Sequence, residues 1–161
     1  MNIEFIKKDL VSKFPHFAEI INNCDFVVDK NIPSVATDGK AIYYNPDFMT
    51  SITEEQQKFA IINAILHVAF NHNNRAEGKD QLLWNIATDA IINENLKREG
   101  LSAVEGSINI PGAINYSAEE LYNKLLEEKE AKSIQPENWN GEMYAKLIEE
   151  FTQKFIEENK D

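Results

Sequence analysis

The chain has 161 residues, the length of one ordinary domain and enough to bury a hydrophobic core without disulfides or a structural metal. Its 16 basic and 27 acidic side chains leave a net charge of −11, and no cluster of basic residues offsets it. Nucleic acids and anionic membrane surfaces are therefore disfavoured as partners, because proteins bind both mainly through Lys and Arg. The N-terminal residues mix charged and apolar side chains without the long apolar core of a signal peptide, so we expect a cytoplasmic location.

The first third of the chain predicts short helices followed by a small sheet. Apolar residues recur at helical spacing and then give way to β-branched and aromatic runs bounded by turn residues. Asp38 and Gly39 separate two of these runs and predict a hairpin, since glycine accepts the positive φ that tight turns require. The predicted elements are a helix over about residues 3–14, a helical turn at 17–21, and strands at 26–28, 34–37 and 40–44.

The rest of the chain predicts helices. Thr53 and Gln56 have capping-box spacing and begin a long helix that ends in the low seventies. Its predicted buried stripe consists of Phe59, Ile62, Ile65, Leu66, Ala69 and Phe70. Further helices are predicted at about 80–98, 117–130 and 141–158, and Trp139 before the last of them is predicted either to anchor that helix or to contact a partner. The expected fold is α+β, with long central helices packed with a small hairpin or sheet, in a single domain over residues 1–161 that includes a helical C-terminal extension.

One region carries the side chains of a candidate site. His67 lies in the middle of the long predicted helix, with Asn63 one turn earlier on the same face and His72 near the helix end. Asp89 and Asn93 form an i, i+4 polar pair in the apolar helix that follows. If the two helices pack together, His67, His72 and Asp89 converge, and two imidazoles with one carboxylate can hold Zn²⁺ and leave its fourth position open.

The same residues also have a structural interpretation. A histidine on an apolar helix is more often a hydrogen-bonded core residue than a metal ligand. Asp89 and Asn93 can instead tie down the backbone of the irregular segment 101–116, since buried polar groups require partners. Spacing alone leaves both interpretations open.

Several short motifs occur along the chain in the same order as in a known family. They are Thr37-Asp38-Gly39, residues 43–48 (YYNPDF), 66–75 (LHVAFNHNNR), 84–93 (WNIATDAIIN), 110–112 (IPG) and 116–122 (YSAEELY). Over about residues 30–126 the chain resembles the metallopeptidase-like domain often found ahead of a von Willebrand factor A-like domain. Each motif is weak alone, and the specificity comes from their order. The resemblance implies a zincin-like fold, with His67, His72, Arg75, Asp89 and Asn93 at family positions.

The catalytic motif itself departs from the family pattern. In that family a helix carries His-Glu-x-x-His, whose histidines hold zinc while the glutamate activates the bound water. The corresponding residues here are Asn63-Ala64-Ile65-Leu66-His67. Asn63 occupies the position of the first ligand and Ala64 that of the general base, so the resemblance predicts a degenerate site without efficient hydrolysis.

Three functions follow from these observations. The first is a pseudo-peptidase that binds a protein or peptide without turnover, with zinc left open as a cofactor. The second is a zinc-dependent peptidase or hydrolase with an altered motif or mechanism. The third is a small acidic inhibitor or interaction protein, because residues 118–161 hold 12 acids and six lysines, a net charge of −6, and no A-like domain accompanies the resemblance. The sequence does not predict the substrate or the oligomeric state.

Overall fold

The computed structural model describes residues 1–132 and 141–158, so the predicted role of Trp139 lies outside the described residues. Within them are eight α-helices: α1 (Ile3–Lys13), α2 (Ala18–Asn23), α3 (Pro46–Ser51), α4 (Glu54–Ala69), α5 (His72–Arg75), α6 (Gln81–Arg98), α7 (Ala118–Glu130) and α8 (Gly141–Glu158). The strands are β1 (Asp25–Val28), β2 (Val35–Thr37) and β3 (Ala41–Tyr44), and short 3₁₀ turns cover Pro15–Phe17 and Ala113–Asn115. No helix among the described residues is long and apolar enough to cross a membrane.

The predicted α+β class is confirmed, and most predicted boundaries agree with the structure within one or two residues. The capping boxes at the starts of α4 and α7 are both present, so local chemistry sets these helix starts. The long predicted helix is shorter than expected. It ends at Ala69, and a separate one-turn helix, α5, follows.

Residue contacts divide the chain into two compact units. The first comprises residues 1–78 and 96–107, and the second comprises 79–95 and 108–161. The first unit holds the sheet, α1 to α5 and the C-terminal turn of α6. The second holds most of α6 together with α7 and α8. The single domain predicted for residues 1–161 stays a prediction.

The sheet of the first unit has the order β1-β3-β2, with β1 parallel and β2 antiparallel to β3. The predicted hairpin is confirmed as β2–β3. Its turn is held by Asp38, whose Oδ1 accepts the amide N–H groups of Lys40 and Ala41. Gly39 has a φ of +93°, the left-handed conformation that favours glycine. Helix α4 packs against both β2 and β3.

The ladder bonds show which backbone groups of the outer strands face away from the sheet. Asn45 N–H donates to the Ser34 carbonyl, so the backbone groups of Ser34 point toward β3. Because this direction alternates along a strand, the N–H and C=O groups of Val35, the next residue, point to the outer edge of β2. On the other side, Asp29 N–H donates to the Tyr44 carbonyl, and by the same alternation the backbone groups of Val28 face the outer edge of β1. Each edge therefore presents outward backbone groups.

Helix α4 forms the centre of the first unit. Its buried apolar residues are Phe59, Ile61, Ile62, Ala64, Ile65 and Leu66. At its start, Lys58 is buried and its Nζ lies 2.9 Å from Asp9, 3.3 Å from Glu54 and 3.2 Å from Glu55. The predicted burial of Phe70 and Ala69 was wrong, because Phe70 is 43% exposed and Ala69 is half-buried. The helix ends one residue earlier, so Phe70 no longer follows the helical stripe.

In the second unit, Asp80 precedes α6 and caps it, with Oδ1 accepting the N–H groups of Leu82 and Leu83. Its Oδ2 lies 2.6 Å from Lys129 Nζ and 3.3 Å from the Tyr144 hydroxyl, which joins α7 and α8 to the start of α6. We call Asp80, Lys129 and Tyr144 the Asp80 cluster. The apolar face of α8 buries Leu147, Phe151 and Phe155.

Candidate functional site

Two predicted site residues, His67 and His72, meet in the first unit. Their Nδ1 atoms lie 3.0 Å apart, with ring centroids 5.1 Å apart and ring planes at 71°. His72 is buried and His67 is half-buried. We call these two residues the histidine pair. One nitrogen can donate its proton to the other, or both can offer lone pairs to a third group, depending on which ring nitrogens carry protons.

The turn between α4 and α5 brings His72 back onto His67. Asn71 has a φ of +58°, a left-handed conformation that asparagine tolerates better than most residues. The side-chain Nδ2 of Asn74 donates a hydrogen bond to Asn71 Oδ1 at 2.7 Å. The guanidinium of Arg75 donates to the Phe70 carbonyl at 2.9 Å and so satisfies a carbonyl at the end of α4. Arg75 therefore has a structural contact that helps to fix the position of His72.

Asn73 joins the histidine-bearing turn to the hairpin. Its Nδ2 donates to the Thr37 carbonyl at 3.2 Å, on the outer edge of β2. A Cβ added to Gly39 would lie 3.3 Å from Asn73 Cβ, so glycine allows the hairpin and α5 to approach this closely. Sequence reasoning missed this role for Asn73. The bond joins residues 36 positions apart, and no local pattern signals it.

The separation of the two Nδ1 atoms can be compared with that of two nitrogen ligands on one zinc ion. Each Zn–N bond is about 2.0–2.1 Å, so two nitrogens on one tetrahedral zinc lie roughly 3.3–3.4 Å apart. The observed 3.0 Å between the Nδ1 atoms is within a few tenths of an ångström of that separation.

The two motif positions before His67 supply neither a ligand imidazole nor a base. Ala64 is 3% exposed, and its methyl group cannot accept a proton. Asn63 is half-buried, and zinc sites are built mostly from Cys, His, Asp and Glu. The nearest acids on the same helix, Glu54 and Glu55, are about 14 Å away along the helix axis at 1.5 Å per residue. No carboxylate of α4 can therefore replace the missing glutamate.

The remaining predicted site residues, Asp89 and Asn93, lie on α6 in the second unit. Asn93 is buried, and its Nδ2 donates to the Ile108 carbonyl at 3.0 Å, which is the backbone-tying role left open by the sequence. Asp89 is half-buried. The described residues contain no group of three or more His, Cys, Asp or Glu side chains placed to hold a metal ion. The ligand set of His67, His72 and Asp89 thus stays a prediction.

Comparison with known families identifies the family of the chain. Residues 4–152 match the family described as a putative metallopeptidase domain. The chain belongs to this family. No curated protein and no solved structure matches the chain. The family assignment therefore rests on the sequence, and the predicted zincin-like fold stays a prediction within the confirmed α+β class. The match extends well beyond the 30–126 segment that carries the resemblance, so most of α1 and α8 belong to the family pattern as well.

Proposed function

We propose that this metallopeptidase-like protein binds extended segments of other proteins and does not hydrolyse them. The observation that carries the proposal is Ala64, which is buried at the position of the family's general base. Around it, hydrogen bonds join the two histidines to each other and the α5 turn to the adjoining hairpin, which supports a site that is still ordered. An ordered site without a general base favours binding over turnover.

The proposed loss of hydrolysis follows from two missing groups. General-base assistance contributes about 10²–10⁴-fold to a rate, and alanine provides none. Asn63 also replaces an imidazole at the first ligand position, which weakens metal capture. A zinc ion held by His67 and His72 would supply a Lewis-acid contact for a carbonyl oxygen. These residues would still lack a base to deprotonate a water molecule.

The proposed peptide site is the outer edge of β2. An extended peptide can add to a sheet edge through main-chain hydrogen bonds, which recognise the backbone with little dependence on sequence. Val35 directs its N–H and C=O groups to this edge, as the alternation from Ser34 requires. Thr37 lies at the end of the same edge, where Asn73 joins it to α5. A peptide on β2 would therefore lead toward the histidine pair.

A proline substitution on each sheet edge tests this proposal. Val35→Pro removes the outward N–H of β2 and leaves every bond to β3 in place, since proline is tolerated on an edge whose N–H faces away. We expect the affinity for short fluorescein-labelled peptides of random sequence, measured by anisotropy, to fall about threefold to tenfold, the effect of one lost hydrogen bond.

Val28→Pro is the matched control, because it removes the equivalent outward N–H on the β1 edge. We expect it to bind peptides like the unmodified protein, with both variants keeping the same circular dichroism spectrum. If the two variants weaken binding equally, or if the unmodified protein binds no peptide, the proposed site is wrong.

A further inference from the structure

Phe70 is an exposed aromatic residue next to the histidine pair. Its side chain is 43% exposed, although the apolar spacing of α4 predicts that it is buried. The helix ends at Ala69, and the Arg75 guanidinium caps the Phe70 carbonyl, which fixes the backbone from which the ring projects. Its exposure therefore comes from an ordered turn.

Two other rings support the Phe70 side chain. The Phe17 ring meets it edge-on, with centroids 6.1 Å apart and planes at 86°. The His72 ring lies 5.7 Å away at 44°. Both separations are within the range in which aromatic pairs attract each other. Phe70 thus contacts two other rings, and the residue is still 43% exposed.

Phe70 is also within reach of the proposed peptide edge. The Phe70 and His72 ring centroids are 5.7 Å apart, His72 directly precedes Asn73 in the chain, and the Asn73 side chain lies 3.2 Å from the Thr37 carbonyl. Added along this path, with about 3.8 Å between neighbouring Cα atoms, these distances put the Phe70 ring at most roughly 20 Å from Thr37. An extended chain advances about 3.3 Å per residue and covers that distance in about five or six residues.

We propose that Phe70, supported by Phe17, is a specificity subsite that accepts an apolar, preferably aromatic, side chain of the extended peptide. This inference rests on the proposed function, because the peptide is the one expected on the β2 edge. Backbone bonds at β2 would hold any extended segment, and Phe70 would select among segments by the side chain that reaches it. Such selection favours the apolar stretches that unfolded proteins expose.

The test compares labelled peptides that differ only by Phe or Ala at one position, moved stepwise along an otherwise Gly-Ser sequence. We expect the unmodified protein to bind the Phe peptide about tenfold more tightly at one position, the scale of burying one aromatic ring against another. In Phe70→Ala the two peptides should bind within about twofold of each other, with the Ala peptide unaffected. Phe70→Leu keeps an apolar surface and should retain a preference of about threefold, so it replaces Phe70→Ala if that variant unfolds.

Phe5→Ala is the matched control. Phe5 is 51% exposed and lies beside Lys58, which is about 18 Å from Phe70 along α4 at 1.5 Å per residue. We expect this variant to keep the full preference for Phe. Equal binding of the Phe and Ala peptides by the unmodified protein, or an unchanged preference in Phe70→Ala, would overturn the subsite. If no peptide binds at all, it is the proposed function that fails.

Discussion

Two polar clusters at helix ends differ in what their side chains offer one another. In the Asp80 cluster, at the start of α6, a carboxylate meets an ammonium group and a hydroxyl, so opposite charges and matched donors and acceptors are paired. In the histidine pair, at the end of α4, two groups of the same kind face each other through the same atom, Nδ1. The charges and hydrogen-bonding groups of the Asp80 cluster are those expected of an interaction that holds helices together.

The histidine pair differs from the Asp80 cluster in the strength expected of its link. An imidazole and a carboxylate would make a stronger link than two imidazoles, because charge-assisted hydrogen bonds are about twice as strong as neutral ones. Asn73, Asn74 and Arg75 also make hydrogen bonds around the pair, and these bonds hold the turn between α4 and α5 in place. The Asp80 cluster is therefore a charge-paired link between helices, and ligand binding by the histidine pair is the part of the comparison that experiments must test.

The largest expected effect comes from restoring the family glutamate. Ala64→Glu places a carboxylate at a position that is 3% exposed, and an uncompensated buried charge is strongly unfavourable. We expect the free energy of unfolding to fall by about 2–4 kcal/mol in metal-free protein. Urea denaturation followed by circular dichroism measures this loss.

The double variant Asn63→His with Ala64→Glu tests whether the histidine pair can act as part of a metal site. It restores the family motif, and we expect zinc affinity to rise at least about a hundredfold because one more imidazole joins His67. Zinc should then recover much of the stability that the glutamate removes. A double variant that binds zinc no better than the unmodified protein would show that the pair is only part of the scaffold.

A smaller effect is expected in the Asp80 cluster, where it depends on pH. Burial raises the pKa of Asp80, but the Lys129 ammonium and the Leu83 amide hold that pKa below its usual value overall. The ionised form is therefore stabilising above about pH 4, the unfolded value, and this contribution is lost as the pH falls through the lower folded pKa. Asp80→Asn should cost about 1–2 kcal/mol at pH 7, after allowance for solvent screening, and progressively less as the pH falls below about 4.

Urea unfolding at pH 7 and at pH 3 measures this difference. The matched control is Asp29→Asn, since Asp29 lies in the first unit and its carboxylate accepts only the Asn31 N–H among the hydrogen bonds described. A pH-independent cost in Asp80→Asn would contradict the assignment of the Asp80 cluster as a charge-paired link.

The next effect in size concerns the close approach of the hairpin to α5. Gly39→Ala and Gly78→Ala both place alanine at a positive φ, which costs about 1 kcal/mol or more. Only the Gly39 variant also brings a Cβ to 3.3 Å from Asn73, because nothing lies within 4 Å of a Cβ at Gly78. We expect Gly39→Ala to be less stable than Gly78→Ala in thermal unfolding, and equal losses would mean that the contact adds nothing.

The smallest effect is expected for Asn73→Ala. It removes an exposed hydrogen bond to the Thr37 carbonyl, which contributes about 0.5–1 kcal/mol. We expect amide hydrogen exchange to quicken at β2 and at His72, since Asn73 joins the two. Asn95→Ala, which removes a bond within α6, should leave both regions unchanged.

Local chemistry explains which features could be predicted from the sequence. The capping boxes at Thr53 and Ser117 and the turn at Asp38-Gly39 are encoded within four residues, and all three are present. The contact between His67 and His72 depends on the positive φ of Asn71, which spacing alone does not reveal. The Asn73 bond, the exposure of Phe70 and the division into two units arise from packing between distant segments, so no sequence window contains them.

The central claim is that the protein retains a peptidase frame without peptidase chemistry, and mass spectrometry of a digested substrate tests it most directly. Unfolded casein would be incubated with zinc-supplemented protein, with and without a chelator, and new peptide termini would be counted alongside the Asn63→His, Ala64→Glu double variant. We predict no new termini from the unmodified protein under either condition. Zinc-dependent, chelator-sensitive cleavage by the unmodified protein would contradict the account.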